Sequence, residues 1–174
     1  MAAVIGLLKY LADPDTELAD IVYWQLGSLA KVSWDNLLYV TPIIVLMLAG
    51  LLAMRWRMNV LSLSDQEAAS LGVNVQRERL AVIALATLLT ASAVCLSGTI
   101  GWIGLILPHL ARMLVGGNHP QLLPATAVLA ASFLMLADLL ARTLTSAEVP
   151  LGILCGFVGT PFFAWILYRQ RRYF

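Results

Sequence analysis

Charge is scarce in this chain. Only 12% of its 174 residues are Asp, Glu, Lys or Arg, against about 25% in a soluble domain. So few charges cannot cover a water-facing surface. The ten acidic and eleven basic residues leave a net charge of +1, which excludes the broad basic field that nucleic acid requires. Cysteine is limited to Cys95 and Cys155, both inside apolar runs. With no C-x-x-C pair they read as small apolar residues rather than redox partners. His109 and His119 have no companions at ligand spacing, so no metal site is expected. The chain also lacks G-x-x-x-x-G-K-[ST], H-E-x-x-H, a Ser–His–Asp set and paired carboxylates. It therefore has no P-loop for ATP and no equipment for hydrolysis, and no enzyme is expected. No basic segment precedes the apolar N-terminal stretch and no cleavage site follows it, so it does not read as a signal peptide.

What the chain has is hydrocarbon. Sixty per cent of it is hydrophobic and the mean hydropathy is +0.84. Uncharged apolar runs recur at Leu37–Met54, Leu80–Ser97, Thr99–Ala111, Leu122–Ala137 and Val149–Leu167. A hydrocarbon layer of about 30 Å takes roughly 20 helical residues, and backbone amides in lipid must be satisfied within each segment. None of the runs alternates with the period of two that a barrel strand requires. The expected fold is all-α, a polytopic transmembrane helix bundle of about five full spans. Val4–Ala12 reads as the end of a preceding helix. The segment 16–34, amphipathic with two tryptophans, reads as an interfacial helix.

Charge orients the spans. Arg55, Arg57, Arg77 and Arg79 crowd the connection between the first two, and Arg169, Arg171 and Arg172 follow the last. Asp13, Asp15, Glu17 and Asp20 precede the first span. The positive-inside rule places both arginine groups in the cytoplasm. Five spans that start outside must end inside, so the C-terminus is expected to be cytoplasmic.

Glycine and proline fall inside the spans as well as between them. Gly101, Gly104 and Pro108 lie in the third run, and Gly152, Gly156, Gly159 and Pro161 in the last. Small residues let helix backbones approach closely in lipid, and proline removes a donor. These seven residues read either as helix packing or as lining of a pathway.

The connection 59–79 reads as a cytoplasmic loop with its own short helix. Ser64 and Glu67 form the S-x-x-E capping box. Ala68, Ala69 and Leu71 continue the helix, and Gly72 supplies a left-handed residue to end it. Small side chains beside a leucine and a glycine turn make a surface that another protein can grip; a plain interfacial connector is the other reading.

These residues carry a resemblance. The stretch from Asn59 through Val75, containing LSLSDQEAASLGV, resembles the cytoplasmic coupling segment of FecCD-type permeases of binding-protein-dependent ABC importers. That family includes the vitamin B12, haem and ferric-siderophore permeases. SGTIGWIGLILPHLARMLVGGNHPQLLP (Ser97–Pro124) is similar to its S/A-G-x-I-G-F-x-G-L-x-x-P-H-x-x-R block, with Trp102 at the commoner Phe. LADLLARTL (Leu136–Leu144) and AEVPLGILCGFVGTPFFAWIL (Ala147–Leu167) resemble its closing A-D-x-x-A-R and A-E-x-P-x-G blocks.

The resemblance implies a permease domain over residues 1–174, matching the C-terminal half of a ten-helix protein from the end of its fifth helix onward. It implies a bacterial or archaeal inner-membrane location and import of an iron chelate, haem, cobalamin or related metal compound by ATP-driven alternating access. The implied partners are ABC ATPase subunits that bind ATP and Mg, a second permease subunit in a homo- or heterodimer, an extracytoplasmic substrate-binding protein and lipid. Ser64, Glu67, Ala68, Ala69, Leu71 and Gly72 fall in the ATPase-coupling segment. Arg142 matches the family arginine that faces a glutamate of the binding protein. Four residues after Asp138, it also reads as half of a structural i, i+4 pair. His109 reads as a buried, hydrogen-bonded residue or one that helps the Pro108 kink, His119 as a turn residue, and Arg112 as a snorkelling cation or a member of the inner positive set. A secondary transporter and a truncated or split fragment with only a structural role are the alternatives.

Overall fold

The computed structural model describes residues 2–14, 16–30, 32–144 and 149–170. Among them every regular element is an α-helix. In chain order these are α1 (Ala2–Leu11), α2 (Glu17–Gln25), α3 (Trp34–Leu61), α4 (Asp65–Ser70), α5 (Val75–Ser97), α6 (Ile103–Val115), α7 (His119–Leu144) and α8 (Leu151–Gln170). Ala147, Glu148, Arg171 and Arg172 of the sequence motifs lie outside the described residues.

The all-α polytopic bundle stands. Helices α3, α5 and α7, of 28, 23 and 26 residues, are long and apolar enough to cross a membrane. At 1.5 Å per residue even the shortest reaches about 35 Å, beyond the roughly 30 Å of hydrocarbon. Trp34 and Trp56, both well exposed, stand near the two ends of α3. Their 22-residue separation corresponds to about 33 Å, the spacing of the two aromatic belts of a bilayer.

The third apolar run behaves differently from a full span. Its helix, α6, has 13 residues, or about 20 Å, because 98–102 is not helical. The carbonyl of Ser97 accepts from the Ser28 N–H at 2.9 Å, and Gly98 and Trp102 both adopt positive φ of 68°. Helix α8, at 20 residues, reaches about 30 Å, the thickness of the hydrocarbon layer. The amphipathic segment 16–34 folds as a helix only over 17–25. Gly27 turns left-handed at φ 75°, and its carbonyl leaves the segment to serve another helix. His119 corrects its turn assignment: it is the first residue of α7.

Helices α3 and α5 pack as an antiparallel pair, closely enough that a Cβ on Gly50 would sit 3.2 Å from Leu85 Cδ1. Helix α7 packs on α3, α6 and α8. The buried cluster is small: Ala137, Ala141 and Leu151, with Leu29, Ile100, Phe133 and Leu154 around them. Large apolar side chains such as Leu46, Leu80, Val128, Met135 and Phe157 are exposed along the helices. In water that surface would aggregate; against lipid and neighbouring helices it is ordinary.

Candidate functional site

Two structured regions stand at opposite ends of the long helices. At the arginine-rich end, α4 fills the turn between α3 and α5. Its start is closed by the expected capping box. Ser64 Oγ accepts from the Glu67 N–H at 3.3 Å, and the Ser64 N–H donates to Glu67 Oε2 at 3.1 Å. The Ser64 hydroxyl also donates to Glu67 Oε2 at 2.8 Å. These hydrogen bonds favour the ionised carboxylate and hold Glu67 below its ordinary value of 4.5. The end is closed as firmly. Gly72 at φ 76° donates to the Ala69 carbonyl at 3.0 Å, and Val73 donates to that of Ala68 at 3.4 Å. This is the two-bond Schellman closure.

The six residues expected to couple to an ATPase therefore divide. Ser64 and Glu67 cap each other. Ala68, 1% exposed, faces inward and cannot touch a partner. Ala69, Leu71 and Gly72 face outward, and Leu71 with Leu63 presents an exposed apolar edge. Asp65 pairs with Arg79 at 2.9 Å and Arg57 pairs with Glu78, joining the ends of α4, α5 and α3. The Asp65–Arg79 pair is exposed on both sides, so it contributes at most about 1 kcal/mol. Beside it lies a cleft of ≈ 500 Å³ lined by Asp65, Val75, Gln76, Arg79, Leu80 and Ile83.

At the other end three non-helical segments meet backbone to backbone. The Leu151 N–H donates to Gly27 O at 2.8 Å, and the Gly152 N–H donates to Leu26 O at 3.0 Å. The first free amides of α8 are thus satisfied by carbonyls just beyond the end of α2, which joins the positive end of one helix to the negative end of another. Thr99 Oγ1 donates to Gln25 O at 2.6 Å. The approach leaves no room for side chains. A Cβ on Gly98 would overlap Trp24 O, one on Gly152 would overlap Leu26 O, and one on Gly27 would come 2.8 Å from Thr99 O.

Of the residues expected for packing or a pathway, Gly152, Gly156 and Gly159 do pack. Trp102 lies against α8 where a Cβ on Gly159 would be 2.6 Å from its own Cβ, and its ring meets Phe163 edge-on at 6.2 Å. Gly101 and Gly104 face open space, with nothing within 4 Å of a built Cβ, so they mediate no close helix contact among the described residues. Pro108 and Pro161 lie inside α6 and α8, as Pro42 and Pro124 do inside α3 and α7, and each removes one backbone donor while the helix continues past it. Arg142, in the last turn of α7, donates from Nε to Asp138 Oδ2 at 2.9 Å with its side chain 46% exposed. The structural pair therefore exists, and much of the guanidinium remains at the surface. Sequence reasoning missed Gly27, Gly98 and Thr99, whose partners are more than 50 residues away in the chain.

Residues 1–169 match the FecCD transport family. The chain is 43% identical over 171 residues to the molybdate import system permease protein MolB of Haemophilus influenzae, covering 98% of this chain and 51% of that protein. It is 43% identical over 171 residues to the hemin transport system permease protein HmuU of Yersinia pestis, covering 97% and 51%. A cobalamin import system permease protein, BtuC of Halobacterium salinarum, is 40% identical over 151 residues, covering 87% and 41%. A solved structure described as an inward-facing conformation of a metal-chelate type ABC transporter superposes with a TM-score of 0.91 at 43% identity. It covers 97% of this chain and 55% of the solved one. The chain spans about half the length of the curated relatives it matches.

Proposed function

Because the chain belongs to the FecCD transport family, we propose that it forms part of the membrane permease of a binding-protein-dependent ABC importer. The observation that carries this reading is α4. It is a six-residue helix closed at both ends and flanked by the exposed Leu63 and Leu71, between two full-length spans at the arginine-rich end. A helix so short has no stability of its own, and its double closure makes it a rigid bearing for another protein. The positive-inside rule puts that end, and with it the C-terminus, in the cytoplasm of a bacterial or archaeal inner membrane.

In this reading ABC ATPase subunits bind ATP and Mg and seat on Ala69, Leu71 and Gly72. A second permease subunit and lipid cover the exposed apolar faces. Closure of the ATPases displaces α4, and the α3–α5 pair carries the displacement across the membrane, switching the side to which the path opens. Arg142, at the opposite end of α7, faces the extracytoplasmic binding protein. Relatives named for molybdate, hemin and cobalamin support a metal compound as cargo, in the class of iron chelates, haem and cobalamin. Nothing in this chain is assigned a catalytic role.

The test is reconstitution of the transporter containing this segment with its ATPase and binding protein in proteoliposomes. ATP-driven uptake of labelled haem, cobalamin, a ferric chelate or molybdate is the expected result. Uptake driven by an ion gradient without ATP would favour a secondary transporter. Failure of the ATPase to co-purify would leave the fragment with a structural role only.

A further inference from the structure

At the arginine-rich end a second set of contacts ties the last turn of α3, just before α4, to the start of α7. Asn59 lies in the last turn of α3. Its Oδ1 accepts from the backbone N–H of His119 at 2.9 Å and faces His119 Nδ1 at 2.8 Å, where the Nδ1–H tautomer donates. Its Nδ2 donates to Asn118 Oδ1 at 2.6 Å. The Asn59 backbone carbonyl accepts from the Ser62 hydroxyl at 2.6 Å, two residues before the Ser64 cap of α4. His119 is the first residue of α7, and its N–H is one of the amides a helix cannot satisfy internally. Pro120 has no N–H, and Gln121 and Leu122 donate to the Asn118 carbonyl at 3.1 and 2.8 Å. A side chain of α3 therefore caps α7, and the same residue holds the turn into α4.

We propose that Asn59 is the positioning residue that carries displacement of α4 to α7. This rests on the transport reading above. The competing link from α4, Asp65–Arg79, is an exposed ion pair to α5 and yields readily. The Asn59–His119 bonds are partly buried, fix the start of a 26-residue helix and hold both partners in directional geometry. Helix α7 in turn packs on α3, α6 and α8, so the Asn59 amide adds a directional tie at the start of a helix that touches all three.

The experiment uses the complete transporter in proteoliposomes, comparing native protein with Asn59→Leu and Asn59→Asp. Leucine matches the volume without the hydrogen bonds, whereas aspartate keeps the acceptor for both His119 donors. Asn59→Leu should retain ATP hydrolysis stimulated by the binding protein while uptake per ATP falls at least about fivefold, the loss of roughly one hydrogen bond's coupling. Asn59→Asp should recover most of that ratio. A purely structural role would lower yield and hydrolysis together and leave the ratio unchanged, which overturns the proposal. Spin labels at residues 66 and 121 of a transporter with native Asn59 provide a measurement independent of the leucine variant's folding. Their separation should stay constant between nucleotide-free and ATP-bound states, and a change of a helical turn, about 5.4 Å, refutes the link. If native protein itself shows neither ATPase association nor uptake, the transport reading fails and this proposal falls with it.

Discussion

Replacing Gly98 by alanine tests whether the backbone junction between α2, α5 and α8 holds the bundle together. Gly98 has φ 68° and ψ −162°, a region that only glycine adopts freely, and a side chain there costs about 1–3 kcal/mol in backbone strain. The new Cβ would also overlap the carbonyl oxygen of Trp24 and lie 3.3 Å from Gly27 Cα. Both are backbone atoms, so no rotamer change relieves the clash, and overpacking of this kind costs about 1–3 kcal/mol more. Trp24 O already accepts from the Gly27 N–H. Moving it disturbs the carbonyls that serve Thr99, Leu151 and Gly152. The total is roughly 2–6 kcal/mol, a large share of the 5–15 kcal/mol that ordinarily holds a domain. Thermal unfolding of the purified transporter in detergent should show a midpoint at least about 4 °C below native. Gly104→Ala is the internal control. It sits in α6 with nothing within 4 Å, and alanine in a helix is better than glycine by about 0.5–1 kcal/mol. It should melt at or slightly above the native value. An unchanged midpoint for Gly98→Ala, or an equal fall for Gly104→Ala, would refute the junction argument.

Single cysteines at residues 66 and 17 should label only from the cytoplasmic and only from the outer side respectively; labelling of residue 66 from outside overturns the orientation. Gly72→Val puts a β-branched residue at φ 76°, where space is open but the backbone is not, so insertion should be normal while ATPase association weakens; unchanged uptake would make 64–72 a mere connector. Arg142→Glu removes the Asp138 pair and reverses the surface charge. If Arg142 docks the binding protein, affinity should fall at least about tenfold, or about 1.4 kcal/mol, with partial rescue by a charge swap on the partner; lower expression at equal affinity would restrict Arg142 to its helix pair. The depressed Glu67 carboxyl contributes to α4 above its unfolded value, and that contribution is lost as pH falls through the lower folded value. Amide-exchange protection of 64–68 should therefore persist at pH 5 and fade only below 4.5, and Glu67→Gln should remove the dependence.

The legible parts of this protein are those whose cause lies within about one helical turn. Apolar runs identify membrane helices because lipid leaves a backbone no other partner. The α4 helix was readable to its ends because a capping box spans four residues and a left-handed glycine needs none beyond its own turn. Tertiary structure decided what depends on distant backbone. Thr99–Ala111 carries no Asp, Glu, Lys or Arg along its whole length, yet its first residues are drawn out of the helix to meet 25–28, leaving α6 at 13 residues. The glycines show the same division. Gly101 and Gly104 read as packing or pathway residues and face open space, whereas Gly98, which carried no packing expectation, lies against a carbonyl from α2. Asn59 reads in the sequence as the start of a cytoplasmic loop, whereas the structure places it in the last turn of α3, bonded to the start of α7. Local hydrogen bonding and solvent preference act on neighbours in the chain, so sequence records them directly. Which backbones touch, and which amide one asparagine must satisfy, follows only from how the helices assemble.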